Sequence, residues 1–277
     1  MRCDQGQQLK SVSGLGATGV PGQFLEKTRG AAMLARHEVI QPYLDIFNEP
    51  NYLEIGVSRG VTFHAVKASR KVAVDPQFQI KPESREPDSE YHEVTSDKYF
   101  NDLASDVNQF DVIYLDGLHT FEQTLRDLMN AIDVLRRDGV IVVDDVSPNS
   151  YHSSLRDHRE TVAVRQAING TDESWMGDTY RLVYFIQSFL PRFYYATVQE
   201  NHGQLVMWRA KRTPGLFVER QVEDIARLEF RHVVMQRAAF NFRPNAEIVD
   251  LARRAILGMS TQNTPARPKE AKVEIEF

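Results

Sequence analysis

The sequence predicts an α/β fold in which a doubly wound, seven-stranded sheet ends in a C-terminal antiparallel hairpin, with further helices at both ends of the chain. Three observations support this prediction. Short apolar runs typical of buried parallel strands alternate with segments of helical periodicity. A strand, a glycine turn and a second strand follow one another between residues 52 and 75. Two apolar segments flank Asn201-His202-Gly203, which is typical of a hairpin turn.

The first part of the chain supplies the predicted parallel strands. Residues 24–47 carry apolar side chains at helical spacing, broken near Pro42, and are expected to form two helices. Strands are predicted at residues 52–56, 71–75, 91–94, 110–115 and 140–143. Helices are predicted at residues 60–69, 97–106 and 121–137, with a loop at 77–90. The last of these helices is the most clearly amphipathic, since Leu125, Leu128 and Ile132 recur on one face.

The second part of the chain departs from this alternation. Residues 147–174 are expected to form a long polar insert with a helix near 158–168, and a helix at 177–189 follows. Strands at 194–199 and 204–209 form the hairpin, and helices are predicted near 217–237 and 245–257. The chain is therefore expected to have four parts: a flexible N-terminal segment (1–22), a domain with N-terminal helices and the insert (23–212), a helical extension (213–259) and a flexible tail (260–277).

Composition limits the class of protein. Of 277 residues, 42% are hydrophobic, which is enough for a sizeable core. The one cysteine, Cys3, excludes an internal disulfide. No apolar run is long enough to span a membrane, and the N-terminus lacks the apolar core of a signal peptide, so we expect a cytoplasmic protein with no membrane partner. A net charge of -5 argues against a nucleic-acid partner.

A glycine turn after the first predicted strand is the strongest functional signal. Gly56 and Gly60 let the backbone approach a ligand closely, and the helix that follows directs its N–H groups and positive dipole end toward that ligand. Asp75 ends the second strand, where a carboxylate can accept hydrogen bonds from a ribose diol. The pattern predicts a nucleoside-cofactor site that contains Glu54, Gly56, Ser58, Gly60 and Asp75.

The order of residues in the turn distinguishes between cofactors. A dinucleotide fingerprint needs G-x-G-x-x-G, whereas Ser58 stands where its second glycine would be. The carboxylate of Glu54 repels a pyrophosphate but attracts a cationic amino-acid group. The E-x-G-x-x-x-G arrangement resembles motif I of class I S-adenosylmethionine (SAM) methyltransferases, which implies a Rossmann-like fold and SAM rather than NAD. A turn that binds no cofactor would leave the glycines and strand-end acids unexplained.

Three acidic residues follow two further predicted strands. Asp116 comes directly after the fourth strand, and Asp144 and Asp145 come directly after the fifth. Because the carboxyl ends of parallel strands line one crevice, we expect these side chains to lie close together. Carboxylates so placed repel one another unless a cation or a proton intervenes, and hard oxygen ligands suit Mg²⁺ or Mn²⁺. These acids are the candidate metal ligands, although Asp145 alone could instead cap a helix or pair with an arginine.

The segment after the fourth strand resembles a family signature. Asp116-Gly117-Leu118-His119-Thr120-Phe121-Glu122, followed by Arg126-Asp127-Leu128, is similar to the D-G-x-H-x-[YF]-E-x-x-x-x-D pattern of bacterial metal-dependent O-methyltransferases. These include the macrocin and aminocoumarin sugar enzymes, and their metal site is similar to that of the catechol and caffeoyl-CoA enzymes. The resemblance covers about residues 50–146. It implies methyl transfer from SAM to a sugar or phenolic hydroxyl of a natural product, with Asp116 beside both cofactor and metal.

His119 is the candidate catalytic base. It lies three residues beyond Asp116, where the catechol enzymes carry a lysine, and its imidazole could take a proton from a hydroxyl that a metal has acidified. Some sugar enzymes use an acid at the position that Leu118 occupies here. The alternative is that His119 only caps or orders its loop.

Further candidates carry less specific signals. The resemblance implies that Asp97 contacts the adenine amino group, but a helix N-cap explains Asp97 equally well. Asp178 is either an N-cap or a substrate contact, and His152 and His158 belong to a substrate lid or a surface loop. The extra helices and the insert suggest a lidded small-molecule pocket or a homo-oligomer interface. A metal-independent methyltransferase acting on nitrogen or a carboxylate, and a non-catalytic SAM-binding protein, are the alternatives.

Overall fold

The computed structural model describes residues 33–104, 109–212 and 217–262. Several sequence-based predictions lie outside these residues. They are the flexible segment at 1–22, residues 24–32 of the region predicted as two N-terminal helices, and the tail beyond residue 262. Within the described residues one helix runs from Arg36 to Leu44 through Pro42, so the break predicted near Pro42 is wrong. Among the described residues, no helix is long and apolar enough to cross a membrane.

A single mixed sheet organises the described part of the chain. Its strands are β1 (Asn51–Ile55), β2 (Arg70–Val74), β3 (Ser89–His92), β4 (Phe110–Leu115), β5 (Leu135–Val143), β6 (Phe193–Val198), β7 (Leu205–Arg209) and β8 (Phe242–Arg243). Their spatial order is β3-β2-β1-β4-β5-β7-β6-β8. The first five strands in this order are parallel, and β7 runs antiparallel to both β5 and β6. The predicted Rossmann-like, doubly wound sheet with a C-terminal hairpin is therefore confirmed.

An eighth strand extends the predicted seven. Phe242 and Arg243 pair in parallel with Thr197 and Val198 at the edge of β6. A two-residue strand produces no periodic pattern in the sequence, which is why the sequence did not predict it. It joins residues beyond 212 to the same sheet as the rest of the domain.

Helices cover both faces of the sheet. They are α1 (Arg36–Leu44), α2 (Val61–Ala65), α3 (Ser96–Lys98), α4 (Phe121–Val134), α5 (His158–Ala167), α6 (Arg181–Phe189), α7 (Val222–Ala226), α8 (Phe230–Met235) and α9 (Asn245–Gln262). Alternate side chains of each strand point to opposite faces. The apolar faces of α1, α2 and α9 pack on one side, and those of α4 and α6 pack on the other. This arrangement places the carboxyl ends of the parallel strands along one open edge.

Several predicted helix boundaries are wrong. The helix predicted at 60–69 ends at Ala65, because Val66 has an extended backbone. The helix predicted at 121–137 ends at Val134, since Leu135 pairs with Phe110 as the start of β5. The helix predicted at 217–237 is divided into α7 and α8, and α9 continues through Gln262, past the predicted start of the tail at residue 260.

Candidate functional site

The glycine turn connects β1 to α2 and packs against the loop that follows β4. Gly56 has a positive φ of 86°, and a Cβ added there would lie 1.9 Å from the backbone oxygen of Asp116. Ser58 and Gly60 also adopt left-handed backbone, with φ of 49° and 72°. Only glycine fits at Gly56, because both its conformation and its closeness to the Asp116 backbone exclude a side chain. The turn and the β4 loop are therefore held together by direct backbone contact.

Asp75 ties the glycine turn to the end of β2. It follows the strand directly and is buried. One carboxylate oxygen accepts the backbone N–H of Ser58 at 2.8 Å, and the other accepts the N–H of Gln77 at 2.8 Å. Each oxygen can accept a second hydrogen bond, so the carboxylate can hold the turn and still receive a ligand hydroxyl.

Glu54 lies at the end of β1, inside the protein. Its carboxylate accepts a hydrogen bond from the Tyr52 hydroxyl at 2.7 Å. Burial raises the pKa of Glu54 to about 8, because the charged form loses its hydration. A nearby cation would favour the charged form, so this site is suited to a positively charged group.

The three strand-end acids Asp116, Asp144 and Asp145 form one cluster, referred to below as the acidic cluster. The Tyr114 hydroxyl reaches both halves of it, with its oxygen 2.8 Å from an Asp144 oxygen and 3.3 Å from an Asp116 oxygen. Burial, followed by repulsion from Asp144, raises the pKa of Asp116 and raises that of Asp145 strongly. The cluster therefore carries unfavourable negative charge that a cation would relieve.

Arg36, the first residue of α1, provides a positive charge within the acidic cluster. Its Nε donates a short hydrogen bond to Asp144 Oδ2 and lies 3.7 Å from Asp116 Oδ2, and an Nη atom lies 3.9 Å from Asp145 Oδ1. Burial disfavours the charged form of the guanidinium. The combined electrostatic effect of Asp144, Tyr114 and Asp116 outweighs burial, so the pKa of Arg36 rises above its ordinary value. Sequence reasoning missed this residue, because 108 positions separate it from Asp144.

His119 faces the acidic cluster from the opposite side. Its Nδ1 lies 2.7 Å from the backbone oxygen of Trp175, while Nε2 lies 3.5 Å from Asp116 Oδ1 and 3.3 Å from Asp145 Oδ2. Burial would lower the pKa of His119, but the hydrogen bond with Asp116 and the charge of Asp145 together raise it to about 9. The carboxylates thus hold a proton on an imidazole that the sequence predicts as a base.

Two sets of side chains are arranged as metal ligands could be. Asp116, His119 and Asp145 each offer an atom within 4.8 Å of the others, and so do Asp144, Asp145 and His202. The predicted ligands are thus distributed over two sets that share Asp145. Asp144 Oδ1 is buried and has no hydrogen-bond partner among the described residues, which is the kind of atom that a bound cation would satisfy. The donor chemistry therefore fits a divalent ion.

His202 is a second residue that sequence reasoning did not assign to the site. It belongs to the turn between β6 and β7, and the neighbouring Gly203 accepts the backbone N–H of Val146 at 3.0 Å. This bond brings the hairpin turn to the residue that follows the acidic cluster. The Asn-His-Gly turn was visible in the sequence, but its position beside β5 depends on the antiparallel pairing.

The residues that follow the insert pack against the His119 loop. A Cβ added at Gly177 would lie 1.7 Å from the backbone oxygen of His119, so the two backbones are in contact. Asp178 accepts the backbone N–H of Phe121, the first residue of α4, at 2.7 Å, and it also accepts from Arg156 and Arg181. Asp178 therefore caps α4 rather than the helix that follows it, which corrects the simple N-cap hypothesis.

The two histidines of the insert lie in different surroundings. His158 packs against Trp175 with ring centroids 5.1 Å apart, and Trp175 packs in turn against His119. His152 is buried within the insert, where Nε2 contacts Ser150 Oγ and the Asp172 backbone oxygen. The structure thus brings His158 near the His119 loop through an aromatic stack, whereas His152 holds the insert together.

Asp97 is positioned by the neighbouring helix. Thr95, not Asp97, caps α3, because its Oγ1 accepts the Lys98 N–H at 3.3 Å. The N-cap alternative for Asp97 is therefore wrong. Its carboxylate instead accepts from Arg126 at 2.8 Å and from Gln123 at 3.1 Å. A role for Asp97 in adenine binding stays a prediction.

The comparisons with known proteins concern the same segment. Residues 53–146 match the model of a family described as a methyltransferase domain. This part of the chain is similar to methyltransferase domains. The match begins within β1 and ends just after the acidic cluster, so it includes the glycine turn, Asp75 and His119. Together with the E-x-G-x-x-x-G turn, it supports a SAM-dependent methyltransferase. No curated protein matches the sequence significantly.

Solved structures show similar architecture at low sequence identity. An O-methyltransferase from Bacillus cereus in complex with S-adenosylhomocysteine (SAH) is 15% identical to this chain and has a TM-score of 0.43. The match covers 67% of this chain and 87% of the Bacillus cereus chain. A SAH-bound methyltransferase from Podospora anserina is 12% identical, with coverage of 73% and 100% and a TM-score of 0.39. At TM-scores below 0.5, these likenesses extend no property of those proteins to this chain.

Proposed function

We propose that this protein is a SAM-dependent O-methyltransferase assisted by a divalent metal ion, Mg²⁺ or Mn²⁺. The observation that carries the proposal is the convergence of the acidic cluster and His119 beside the glycine turn, within the segment that matches a methyltransferase domain. The acceptor we propose is a hydroxyl of a small molecule, a sugar or a phenolic group of a natural product.

The residues around the glycine turn fit the chemistry of SAM. The carboxylate of Asp75 keeps acceptor capacity for a ribose diol while it holds the turn. Glu54 and Asp116 have raised pKa values, and a sulfonium or an ammonium group beside them would favour their charged forms and pair with them. A pyrophosphate would meet these same acids and be repelled. The donor set therefore favours SAM over a dinucleotide.

The proposed reaction is an in-line methyl transfer. When bound, SAM supplies an electrophilic methyl group and a divalent ion lowers the pKa of the acceptor hydroxyl. The chain itself positions the reactants, and such positioning accounts for much of the rate of a displacement reaction. Asp116, Asp144 and Asp145 are the residues that would hold the ion, with His202 beside Asp144 and Asp145 as a further candidate ligand.

His119 is proposed as the base that takes the hydroxyl proton at Nε2. Donation of Nδ1–H to the Trp175 backbone leaves Nε2 as the accepting atom. Because Asp116 and Asp145 raise the pKa of His119 to about 9, the imidazole holds a proton near neutral pH. If a bound cation offset these carboxylates, the pKa of His119 would fall and Nε2 would be free to accept a proton. The base role thus depends on the charge state of the acidic cluster.

Calorimetry and a transfer assay test the proposal in two steps. SAH should bind and NAD should not; binding of NAD without SAH would refute the cofactor assignment. Transfer of labelled methyl from SAM to a panel of phenols and sugars should require Mg²⁺ or Mn²⁺ and stop in EDTA while the fold persists.

His119→Ala should then lower turnover by about 10²–10⁴-fold with metal affinity unchanged. Loss of metal affinity in this variant would identify His119 as a ligand instead.

A metal-independent methyltransferase is the second candidate, and Arg36 is the observation that favours it. A guanidinium already contacts all three members of the acidic cluster. If that cation were permanent, the acids would need no metal ion. Full activity in EDTA, with acceptors that carry nitrogen or carboxylate groups, would support this candidate.

A further inference from the structure

The acidic cluster is only partly neutralised by the protein. Three carboxylates contribute three negative charges, whereas Arg36 and, when it is protonated, His119 contribute two positive charges. Asp144 is 2% exposed, and its Oδ1 has no partner among the described residues although Oδ2 has two. Leaving a buried carboxylate oxygen without a partner is costly, so the cluster has both the charge and a free ligand atom for another cation.

Arg36 lies where its positive charge would repel such a cation. Its guanidinium faces one oxygen of each member of the acidic cluster, while His119 faces the other oxygens of Asp116 and Asp145. A divalent ion bound by these carboxylates would lie within a few ångströms of a fixed positive charge. Repulsion at such short range in a partly buried site is strong. Arg36 cannot avoid this repulsion by losing its proton, because a guanidinium stays charged in proteins.

Arg36 can instead move. Its side chain is 33% exposed, and it lies on the first residue of α1, where the guanidinium can turn toward solvent. Asp144, by contrast, is held by the Tyr114 hydroxyl at 2.8 Å. The Asp144 carboxylate is therefore buried and held by a second partner, whereas the Arg36 side chain is partly exposed to solvent.

We propose that Arg36 is a built-in competitor for the divalent ion of the acidic cluster, which binds only as the Arg36–Asp144 pair opens. This inference rests on the metal-assisted function proposed above. It makes Arg36 a residue that sets metal affinity, and it gives α1 a role in the site that its distance in sequence does not suggest.

Titration calorimetry with MnCl₂ tests this competition. Arg36→Gln removes the charge but keeps a side chain of similar length, and it should bind Mn²⁺ about 10- to 100-fold more tightly than the parent, the range expected for loss of one charged hydrogen bond. Arg36→Lys keeps the charge and should stay close to the parent. Arg70→Gln is the matched control, because it removes an arginine that pairs with Glu90 at 2.8 Å, away from the acidic cluster. Its Mn²⁺ affinity should not change.

Thermal denaturation and a metal-bound structure provide independent readouts. Without metal, Arg36→Gln should melt below the parent, and Mn²⁺ should raise its Tm by more than it raises the parent's. If Arg36→Gln does not fold without Mn²⁺, a structure of the Mn²⁺-bound parent decides, with the Arg36 guanidinium expected to have left Asp144. Equal or weaker Mn²⁺ binding in Arg36→Gln, or an intact Arg36–Asp144 pair beside bound Mn²⁺, would overturn the proposal.

Absence of Mn²⁺ binding in the parent and in every Arg36 variant would also overturn it. That result would remove the metal from the proposed function but would leave SAM-dependent transfer open, because SAH binding is measured separately. The failure of this inference and the failure of the methyltransferase assignment are therefore distinguishable.

Discussion

At the residue scale, the Asp75 carboxylate has a structural contact with the glycine turn and a proposed contact with the ligand. It accepts two backbone N–H groups and is proposed to accept the ribose hydroxyls. Asp75→Ala should weaken SAH binding by roughly 1.5–3 kcal/mol, or about 10–150-fold, since charge-assisted hydrogen bonds are lost. Asp88→Ala, which removes an exposed acid from the following loop, serves as the charge-matched control. An unchanged SAH dissociation constant in folded Asp75→Ala would contradict the ribose role.

Glu54 provides a pH-dependent test of burial. Its pKa is raised by burial to about 8 in the folded protein, above the value of an exposed glutamate, so the folded state binds the proton more tightly than the unfolded state. Stability from this residue is present at low pH and is lost as pH rises toward 8. Glu54→Gln removes this loss while keeping an oxygen that can accept from Tyr52. Its Tm relative to the parent should increase between about pH 5 and about pH 9, and a constant difference would contradict the buried, protonated state.

The residues of the site differ in how far sequence alone could place them. Asp116, Asp144 and Asp145 follow parallel strands, and parallel strands gather their carboxyl ends, so a local pattern was enough to bring these three acids together. No comparable sequence rule places Arg36 or His202 at the site. One is the first residue of a helix 108 positions away from its partner, and the other lies in a hairpin turn. Their placement depends on tertiary packing, and the chemical roles of all five residues stay predictions.

At the scale of elements, the glycine turn after β1 combines a left-handed backbone with a close contact. Gly56→Ala should destabilise the protein by about 2–5 kcal/mol, because it adds both an unfavourable φ and a clash with the Asp116 backbone. Gly258→Ala is the matched control, since a Cβ there meets nothing within 4 Å. Alanine at this exposed position of α9 should stabilise the helix by about 0.5–1 kcal/mol. Urea denaturation of both variants measures these changes, and equal effects would refute the contact.

Strong local periodicity predicted the elements better than their ends. Helix α4 and the strands β4 and β5 have apolar patterns that specify their type. The end of α4 was misplaced, because Leu135 pairs with Phe110 as the start of β5, and Arg136 in the same strand pairs with Asp111 at 3.0 Å. The two-residue strand β8 has no pattern of its own and exists only because β6 offers an edge. Such features are set by neighbours in space, which a single sequence does not show.

At the scale of the whole molecule, helix α9, the last helix among the described residues, shares the core of the sheet. Ile248 of α9 is 0% exposed and packs in the same cluster as α1 and β5, whereas Leu257 of the same helix is 52% exposed. Ile248→Ala should cost about 2–5 kcal/mol of stability, and Leu257→Ala should cost less than about 0.5 kcal/mol. A domain that ended near residue 212 would tolerate both substitutions equally, so the comparison by chemical denaturation also tests the predicted boundary.

The contact between Gly203 and Val146 has a consequence for how the protein is made. On the ribosome, the strands β1 to β5 leave the exit tunnel before the hairpin turn exists, so the acidic edge is first exposed without its last neighbour. Parallel strands with distant partners order slowly. We expect nascent chains stalled before β7 to bind no SAH, and chains stalled well beyond it to bind. Binding by the shorter chains would show that the edge forms without the hairpin. If the shorter chains do not bind SAH, translation of the hairpin strands β6 and β7 is the step that completes the ligand site.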